Sequence, residues 1–578
     1  SMVQTKIQIL VAGLFLALLV CLIFTTWPAV WIFVCTMLVT YFLGLVDTAQ
    51  VLDKATNVGV VTLVLLLLVS IGLEKLPWLS RLSHTLITPS YSASLLRLGT
   101  VTAFFSAFVN NTAVVATLAH TVRSNRHHAK TKLLIPLSYA AILGGTMTLI
   151  GTSTNLIVSS FLEDATGEGL AFFDFLIVGA TATLLGLVAM LLSSKLLPKG
   201  SMEPLDIKEF VIEAEVSEAS SLIGKSILEN RLRDLEDLFL VEIVRGNYLI
   251  SPVTPQEHIE AGDKLIFSGD ITRVQALEEF DGLRLFAVDE GLLQENMIEV
   301  IVMPNAAIEG KTVKESAFRS VFDAAVVGIR RGGKRLSGKL GNITIQAGDN
   351  MMLAIGPDFH ERKNLDKNFV VINDAVGDVK TSPVQNVIVT GGVVLMIALA
   401  TLEIVPLIKG VAALLFVMLV MGVVGADELR RRFPFELWLI IASALTLSDA
   451  LTNSGLVSVL ASTLHSNLSM VGPWGALVGI YLGTLMLTET MTNNAAAALS
   501  FPIAFGLAES YGVSYMPFVM AVAYGASASF LTPYGYTTNL MVQNLGGYQF
   551  RDYFRAGLPV SIVYSAVVLL LVPRVFPF

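Results

Sequence analysis

Two pairs of asparagines stand in the middle of stretches otherwise apolar enough to enter a bilayer. Asn110-Asn111-Thr112 interrupts an apolar run at about 97–121, and Thr492-Asn493-Asn494 interrupts another at about 472–508. Carboxamides and hydroxyls at hydrocarbon depth are costly unless satisfied, so they mark cavities and solute paths. A re-entrant hairpin accounts for the pattern. Its tip leaves helix ends at mid-depth, where N–H groups attract an anion and carbonyl ends with amide oxygens suit Na⁺. Two Gly-rich segments, Gly144 to Asn155 and Gly525 to Asn539, read as discontinuous helices supplying the remaining ligands, with glycine and Pro533 permitting the unwinding. Polar residues can also glue helices together without binding solute, but four clusters in two repeated pairs favour a site. Glu489, one turn before Asn493, is the most deeply placed carboxylate. It suits a bound cation or proton, and equally a structural partner for the hairpin backbone. His120 reads as a hairpin exit and His127-His128 as a solvated loop, so no metal site is supported.

These clusters belong to an internal repeat, which governs the fold reading. The segment around Asn110-Asn111 returns around Asn493-Asn494 after 383 residues. Gly151-Thr152-Ser153-Thr154-Asn155-Leu156 returns as Gly535-Tyr536-Thr537-Thr538-Asn539-Leu540 after 384. Asp174-Phe175 with Gly179 is echoed by Asp552-Tyr553 with Gly557.

The elements that must position these residues are membrane spans. The chain is 54% hydrophobic and 15% charged, where soluble proteins carry about 25% charge. The net charge of −8 gives no bulk argument for nucleic-acid binding. Cys21 and Cys35 both lie in apolar runs, which speaks against disulfides or a thiolate metal site. Ser1 before Met2 reads as an expression scar, and the run from Ile7 to Phe24 as a span rather than a cleaved signal. Apolar runs at about 7–24, 29–46, 58–74, 133–160 and 171–194 make one set. Runs at about 385–403, 407–425, 435–452, 516–545 and 556–573 make another. The expectation is an all-α polytopic membrane protein of two repeats, 1–199 and 385–578, each with about five spans and one re-entrant hairpin.

Orientation follows from Lys and Arg in short loops. Arg81 and Arg97, then Arg123, Arg126, Lys130 and Lys132, Lys195 and Lys199, Arg430 to Arg432, and Arg551 and Arg555 fall on one side if the first hairpin opens to the cytoplasm. Five spans per half is an odd number, so the halves are inverted, the second hairpin opens outward, and both termini lie outside. The protein then sits in the inner (plasma) membrane, in contact with lipid.

Between the halves, charges become dense and short Val/Ile-rich runs alternate with Gly, Asp and Asn. This reads as a cytoplasmic α/β pair with modules at 200–295 and 296–384. Gly224-Lys225-Ser226 matches Gly310-Lys311-Thr312, and Ala261-Gly262-Asp263 matches Ala347-Gly348-Asp349, each after 86 residues. The Gly-Lys-Ser/Thr turns suggest a phosphate loop, but Ala219 and Asn305 stand where that loop needs glycine. An ATPase is therefore rejected, and the turns read as strand-to-helix steps.

At these motifs the chain resembles the divalent anion:sodium symporter family of the ion transporter superfamily. That family carries Ser-Asn-Thr at each hairpin tip and Gly/Ala-Thr-Pro-Pro-Asn in each broken helix. Asn110-Asn111-Thr112 and Asn493-Asn494-Ala495 stand on the tips, and Gly151 to Asn155 and Gly535 to Asn539 on the broken helices. The resemblance covers both membrane halves. The insert resembles paired TrkA C-terminal modules, ligand-sensing domains of potassium-uptake regulators. The resemblance implies one Na⁺ site framed by Asn110, Asn111 and Gly151, and a second by Thr492, Asn494 and Gly535. Asn111, Thr112, Ser153, Asn494 and Thr537 would face the anion, with Glu489, Asn155 and Asn539 as further candidates for ion coupling. A homodimer with an elevator motion is implied, with a small ligand such as a nucleotide at the modules. In this chain Asn replaces the first Ser of both tips, Ala495 replaces a Thr, and Ser-Thr and Thr-Thr replace the Pro pairs. More hydroxyls in the broken helices suit a compact tetrahedral oxyanion.

The expectation is thus a non-enzymatic, Na⁺-coupled transporter of a small divalent anion, sulfate ahead of di- or tricarboxylates. A proton-coupled variant rests on Glu489. A channel would want a carbonyl filter repeated around a pore, and no such segment repeats four times. A membrane enzyme would want a nucleophile–base pair, and none is visible.

Overall fold

A computed structural model describes residues 1–200, 211–233, 235, 238–269, 277, 279–286, 297–332, 334–336, 340–372 and 381–578. The described chain is mostly helical, with two small antiparallel sheets in the middle. The first half runs α1 (Met2–Phe24), α2 (Ala29–Phe42), α3 (Thr48–Ala55), α4 (Val58–Glu74), α5 (Trp78–Ser83), α6 (Tyr91–Ser106), α7 (Asn111–Ser124), α8 (Leu134–Gly145), α9 (Ser153–Thr166) and α10 (Leu176–Leu192). The second runs α11 (Pro383–Thr401), α12 (Leu407–Val420), α13 (Ala426–Arg431), α14 (Phe435–Asn453), α15 (Leu456–Leu468), α16 (Gly472–Thr490), α17 (Asn493–Tyr511), α18 (Met516–Ala526), α19 (Thr537–Gly546) and α20 (Phe550–Val575).

Among the described residues, five helices are individually long and apolar enough to cross a membrane: α1, α3 with α4, α11, α14 and α20. The shorter apolar helices α2, α10, α12 and α18 run from 11 to 17 residues. Helices α8 and α9 stop and restart between Gly145 and Ser153, and α18 and α19 between Ala526 and Thr537, where the Gly-rich runs lie. Two elements differ from expectation. Asn57 caps α4 and Asp47 with Gln50 forms a capping box on α3, so what reads as a span beginning near 58 carries a separate amphipathic helix before it. Helix α15 bends by 119° into α16, adding an element between the expected span at 435–452 and the second hairpin.

The hairpins α6–α7 and α16–α17, the broken pairs α8–α9 and α18–α19, and α10 with α20 pack around one shared apolar core. The outer helices cross between halves, α2 against α14 and α4 against α12. Ion pairs tie the outer helices at their ends: Lys75 Nζ lies 2.6 Å from Glu428, and Arg432 lies 2.9 Å from Glu74.

In the insert, β1 (Val211–Val216), β2 (Leu238–Arg245), β3 (Tyr248–Ile250), β4 (Lys264–Gly269) and β5 (Leu283–Phe286) form one sheet in the order β3-β2-β4-β1-β5. Strands β6 (Met297–Val302), β7 (Ala324–Arg331), β8 (Lys334–Arg335), β9 (Asn350–Ile355) and β10 (Phe369–Val371) form the other, in the order β10-β6-β9-β7-β8. Equivalent bonds recur at the 86-residue spacing. Gly262 N–H donates to the Val216 carbonyl at 2.8 Å, and Gly348 N–H to Val302 at 2.8 Å. The sheets share an apolar face of Val211, Val241, Ile266, Met297, Val327 and Met352. The Gly-Lys-Ser/Thr turns lead first into single bridges, and in the second module a short helix, Phe318–Phe322, follows before β7. Gly224 and Gly310 sit at φ +80° and +81°, and Ser226 and Thr312 each make a single antiparallel bridge, to His258 and Thr344. Their N–H groups donate to Glu229 and Glu315 at 2.7 and 2.9 Å, which holds both carboxyls below the usual range. The junction expected at 295–296 lies outside the described residues.

Candidate anion and cation site

A cavity of about 360 Å³ opens where the two hairpin tips meet the two broken helices. Asn110, Asn111, Thr112, Gly151, Ser153, Thr492, Asn494, Gly535 and Thr537 all line it, so one space collects every residue expected in the anion and Na⁺ sites. None of its lining residues carries a charge.

What the cavity offers is helix ends. Four helices of 10 to 19 residues begin at it: α7 at Asn111, α9 at Ser153, α17 at Asn493 and α19 at Thr537. Each N-terminus presents N–H groups without intrahelical partners and a partial positive charge. The tips cap their own helices. Asn110 Oδ1 accepts from Thr112 N–H at 2.8 Å, and Thr492 Oγ1 accepts from Ala495 N–H at 3.3 Å. Helices α9 and α19 have no side-chain cap, so their first-turn donors point into the cavity without an acceptor from the capping residue. Behind the lining, α6, α8, α16 and α18 end at Ser106, Gly145, Thr490 and Ala526, where last-turn carbonyls lack intrahelical partners.

Hydrogen bonds cross between the halves. Ser153 Oγ donates to Asn494 Oδ1 at 2.7 Å, and the hydroxyls of Tyr536 and Thr152 lie 3.0 Å apart. Asn111 turns its amide NH₂ toward the carbonyls of Gly151 and Ser106, at 3.2 and 3.3 Å, which leaves its oxygen for a cation or a donor. The two glycines are set by lack of room. A Cβ on Gly151 would lie 2.3 Å from the Gly145 carbonyl oxygen, and one on Gly535 would lie 2.1 Å from Ser529 Oγ and 2.5 Å from the Thr488 carbonyl.

Glu489, Asn155 and Asn539 sit behind the cavity rather than in its lining. The Glu489 carboxylate accepts from the N–H groups of Phe530 and Leu531, each at 3.1 Å, and from Thr532 Oγ1 at 2.8 Å. It therefore braces the break between α18 and α19. Asn155 and Asn539 do matched work: their NH₂ groups donate to Thr148 and Gly145 carbonyls in one break and to Thr532 and Ser529 carbonyls in the other. Ser106, opposite Glu489 in the repeat, is buried with no hydrogen bond to its hydroxyl.

The sequence reading missed Thr152 and Tyr536, whose hydroxyls join the halves, and the Met303-Pro304-Asn305 turn of the second module, which also lines the cavity. A larger cavity of about 520 Å³ lies between α4, α5, the first hairpin and α11. Phe104, Phe105, Phe108 and Val394 line it together with Glu74, Lys75 and Arg432.

Paired hairpins and broken helices around a polar cavity within a stack of apolar helices define a multi-pass membrane transporter. The chain belongs to the citrate transporter family, which it matches over residues 19–515. A protein of Chlamydomonas reinhardtii provisionally named a sulfur deprivation response regulator is 32% identical over 91% of this chain and 94% of its own length. A transporter of Synechocystis sp. is 28% identical over 92% of this chain and 91% of its own. Sodium/sulfate cotransporter 2 of C. reinhardtii is 30% identical over 61% of this chain and 41% of its own.

Proposed function

We propose that this chain is a Na⁺-coupled secondary transporter of a small divalent oxyanion, sulfate first. The observation that carries the reading is the convergence of four helix N-termini on a cavity with no charged lining residue. Each N-terminus is worth roughly half a positive charge, so four match a dianion, and four carbonyl ends behind them match two monovalent cations. Bringing a dianion into such a site without cations is costly, which is the physical ground for coupling. Relatives named sodium/sulfate cotransporters support the choice of ions. The family's name keeps citrate and other carboxylates as the second reading.

The reciprocal packing of α2 on α14 and α4 on α12 supports inverted halves. In the proposed cycle the hairpins and broken helices move as one body against the outer helices, in a homodimer within the plasma membrane. The basic loops support a cytoplasmic insert, whose paired modules act in control, through a small ligand such as a nucleotide, or as a dimerisation platform. The test is uptake of radiolabelled sulfate by the full chain in proteoliposomes. An inward Na⁺ gradient at fixed pH should drive accumulation, and a pH gradient in choline should not. Accumulation driven by the pH gradient alone would replace Na⁺ with protons, and uptake of citrate to the exclusion of sulfate would replace the substrate.

A further inference from the structure

The two modules are copies, yet only the second carries a set of residues that meets the membrane domain in the described structure. Their differences fall on that contact. In the first module Glu213 pairs with Lys264 at 3.4 Å, within the sheet. At the equivalent positions the second has Glu299 and Asn350. The lysine is gone, and Glu299, buried, takes Asn350 and Arg123, the last-turn arginine of α7. Glu215 of the first module corresponds to Ile301, which is buried in the apolar cluster of the membrane helices together with Ile372. Ser217-Glu218-Ala219 corresponds to Met303-Pro304-Asn305, the turn that lines the cavity.

A second grip lies on α19. Gly332 N–H donates to Asn544 Oδ1 at 2.6 Å, Asn544 Nδ2 donates to the Gly348 carbonyl, and a Cβ on Gly348 would lie 2.7 Å from Leu540. The first module's counterparts, Gly246 and Gly262, have nothing within 4 Å of such a Cβ. The module thus holds α7 by its last turn at Arg123 and α19 from Leu540 to Asn544. These are the helices whose N-termini, at Asn111 and Thr537, form the cavity. One sheet contacts both halves, and its Met303-Pro304-Asn305 turn lines the cavity between them.

We infer that the second module is a lid on the cavity, and that solute exchange on the insert's side requires it to release Arg123 and Asn544. The inference rests on the transport reading for what passes, but not for the lid itself. The test uses the full chain with Cys21→Ala, Cys35→Ala and Ser70→Cys, the last placing a thiol in the cavity wall, reconstituted in nanodiscs. The readout is the rate of labelling by a membrane-impermeant maleimide. Asn350→Lys installs the first module's own residue and recaptures Glu299 within the sheet, so it should fold. Asn544→Ala removes the second grip. Each should raise the labelling rate by about tenfold, and their combination further, as the undocked population grows. Lys264→Asn, the reciprocal change in the first module, should leave the rate at the parental value. Parental labelling rates in Asn350→Lys and Asn544→Ala would overturn the lid. The same variants in proteoliposomes separate the two readings. Faster labelling with no dianion uptake by any form would keep the lid and sink the transport assignment. Undiminished Na⁺-driven uptake with unchanged labelling would do the reverse.

Discussion

Asn494→Ala should raise the sulfate KM by about 5- to 150-fold while the protein still inserts and elutes as the parent does. The carboxamide accepts from Ser153 Oγ across the interface between the halves and lines the cavity. Its loss leaves a half-buried hydroxyl without its partner and removes one ligand, which costs about 1–3 kcal/mol. Asn111→Ala should do comparable damage by a different route, because Asn111 ties the first tip to Gly151 and Ser106. Uptake kinetics at saturating Na⁺ check both. If both variants keep the parental KM and rate, the solute does not bind at the tips.

Gly535→Ala should have an effect of similar size, and Gly151→Ala should match it. Neither glycine has a positive φ, so the constraint is space. The added methyl would press on Ser529 and the Thr488 carbonyl in one break and on the Gly145 carbonyl in the other. Because the opposing atoms include backbone, the break itself must shift. Overpacking of this kind costs about 1–3 kcal/mol, spent on the geometry of the two uncapped N-termini at Ser153 and Thr537. Sulfate uptake should fall about 5- to 150-fold. Gly479→Ala, on α16 where a Cβ meets nothing within 4 Å, should leave uptake unchanged. Parental uptake by Gly535→Ala would separate the breaks from the site.

Much of this site is legible in the sequence because a bilayer makes polarity conspicuous. Asn110-Asn111 and Asn493-Asn494 stand out against apolar surroundings, and the repeat at 383–384 residues pairs them with Gly151 and Gly535. The glycines then announce breaks that the structure places at 145–153 and 526–537. Other features leave weaker traces. Glu489 reads equally as an ion ligand or a brace, since its partners, the N–H groups of Phe530 and Leu531, belong to a backbone break 41 residues away. The Gly-Lys-Ser and Gly-Lys-Thr turns look like helix starts, but the left-handed glycines at 224 and 310 send the chain into single bridges first. Helix α15 follows a span without a charged boundary and escapes a reading based on apolar runs. The lid joins Arg123, Glu299 and Asn544, which no local pattern connects. Its one trace in the sequence is the set of substitutions between the copies: Lys264 to Asn350, Glu215 to Ile301, and Ser217-Glu218-Ala219 to Met303-Pro304-Asn305.

The central claim is that a dianion and Na⁺ occupy one uncharged cavity and stabilise each other there. Calorimetric titration of sulfate into the purified full chain, in Na⁺ and in choline at equal ionic strength, tests it without any assay of movement. Sulfate should bind at least about tenfold tighter in Na⁺, and by reciprocity Na⁺ should bind tighter in sulfate. Equal sulfate affinity in Na⁺ and choline would contradict the claim.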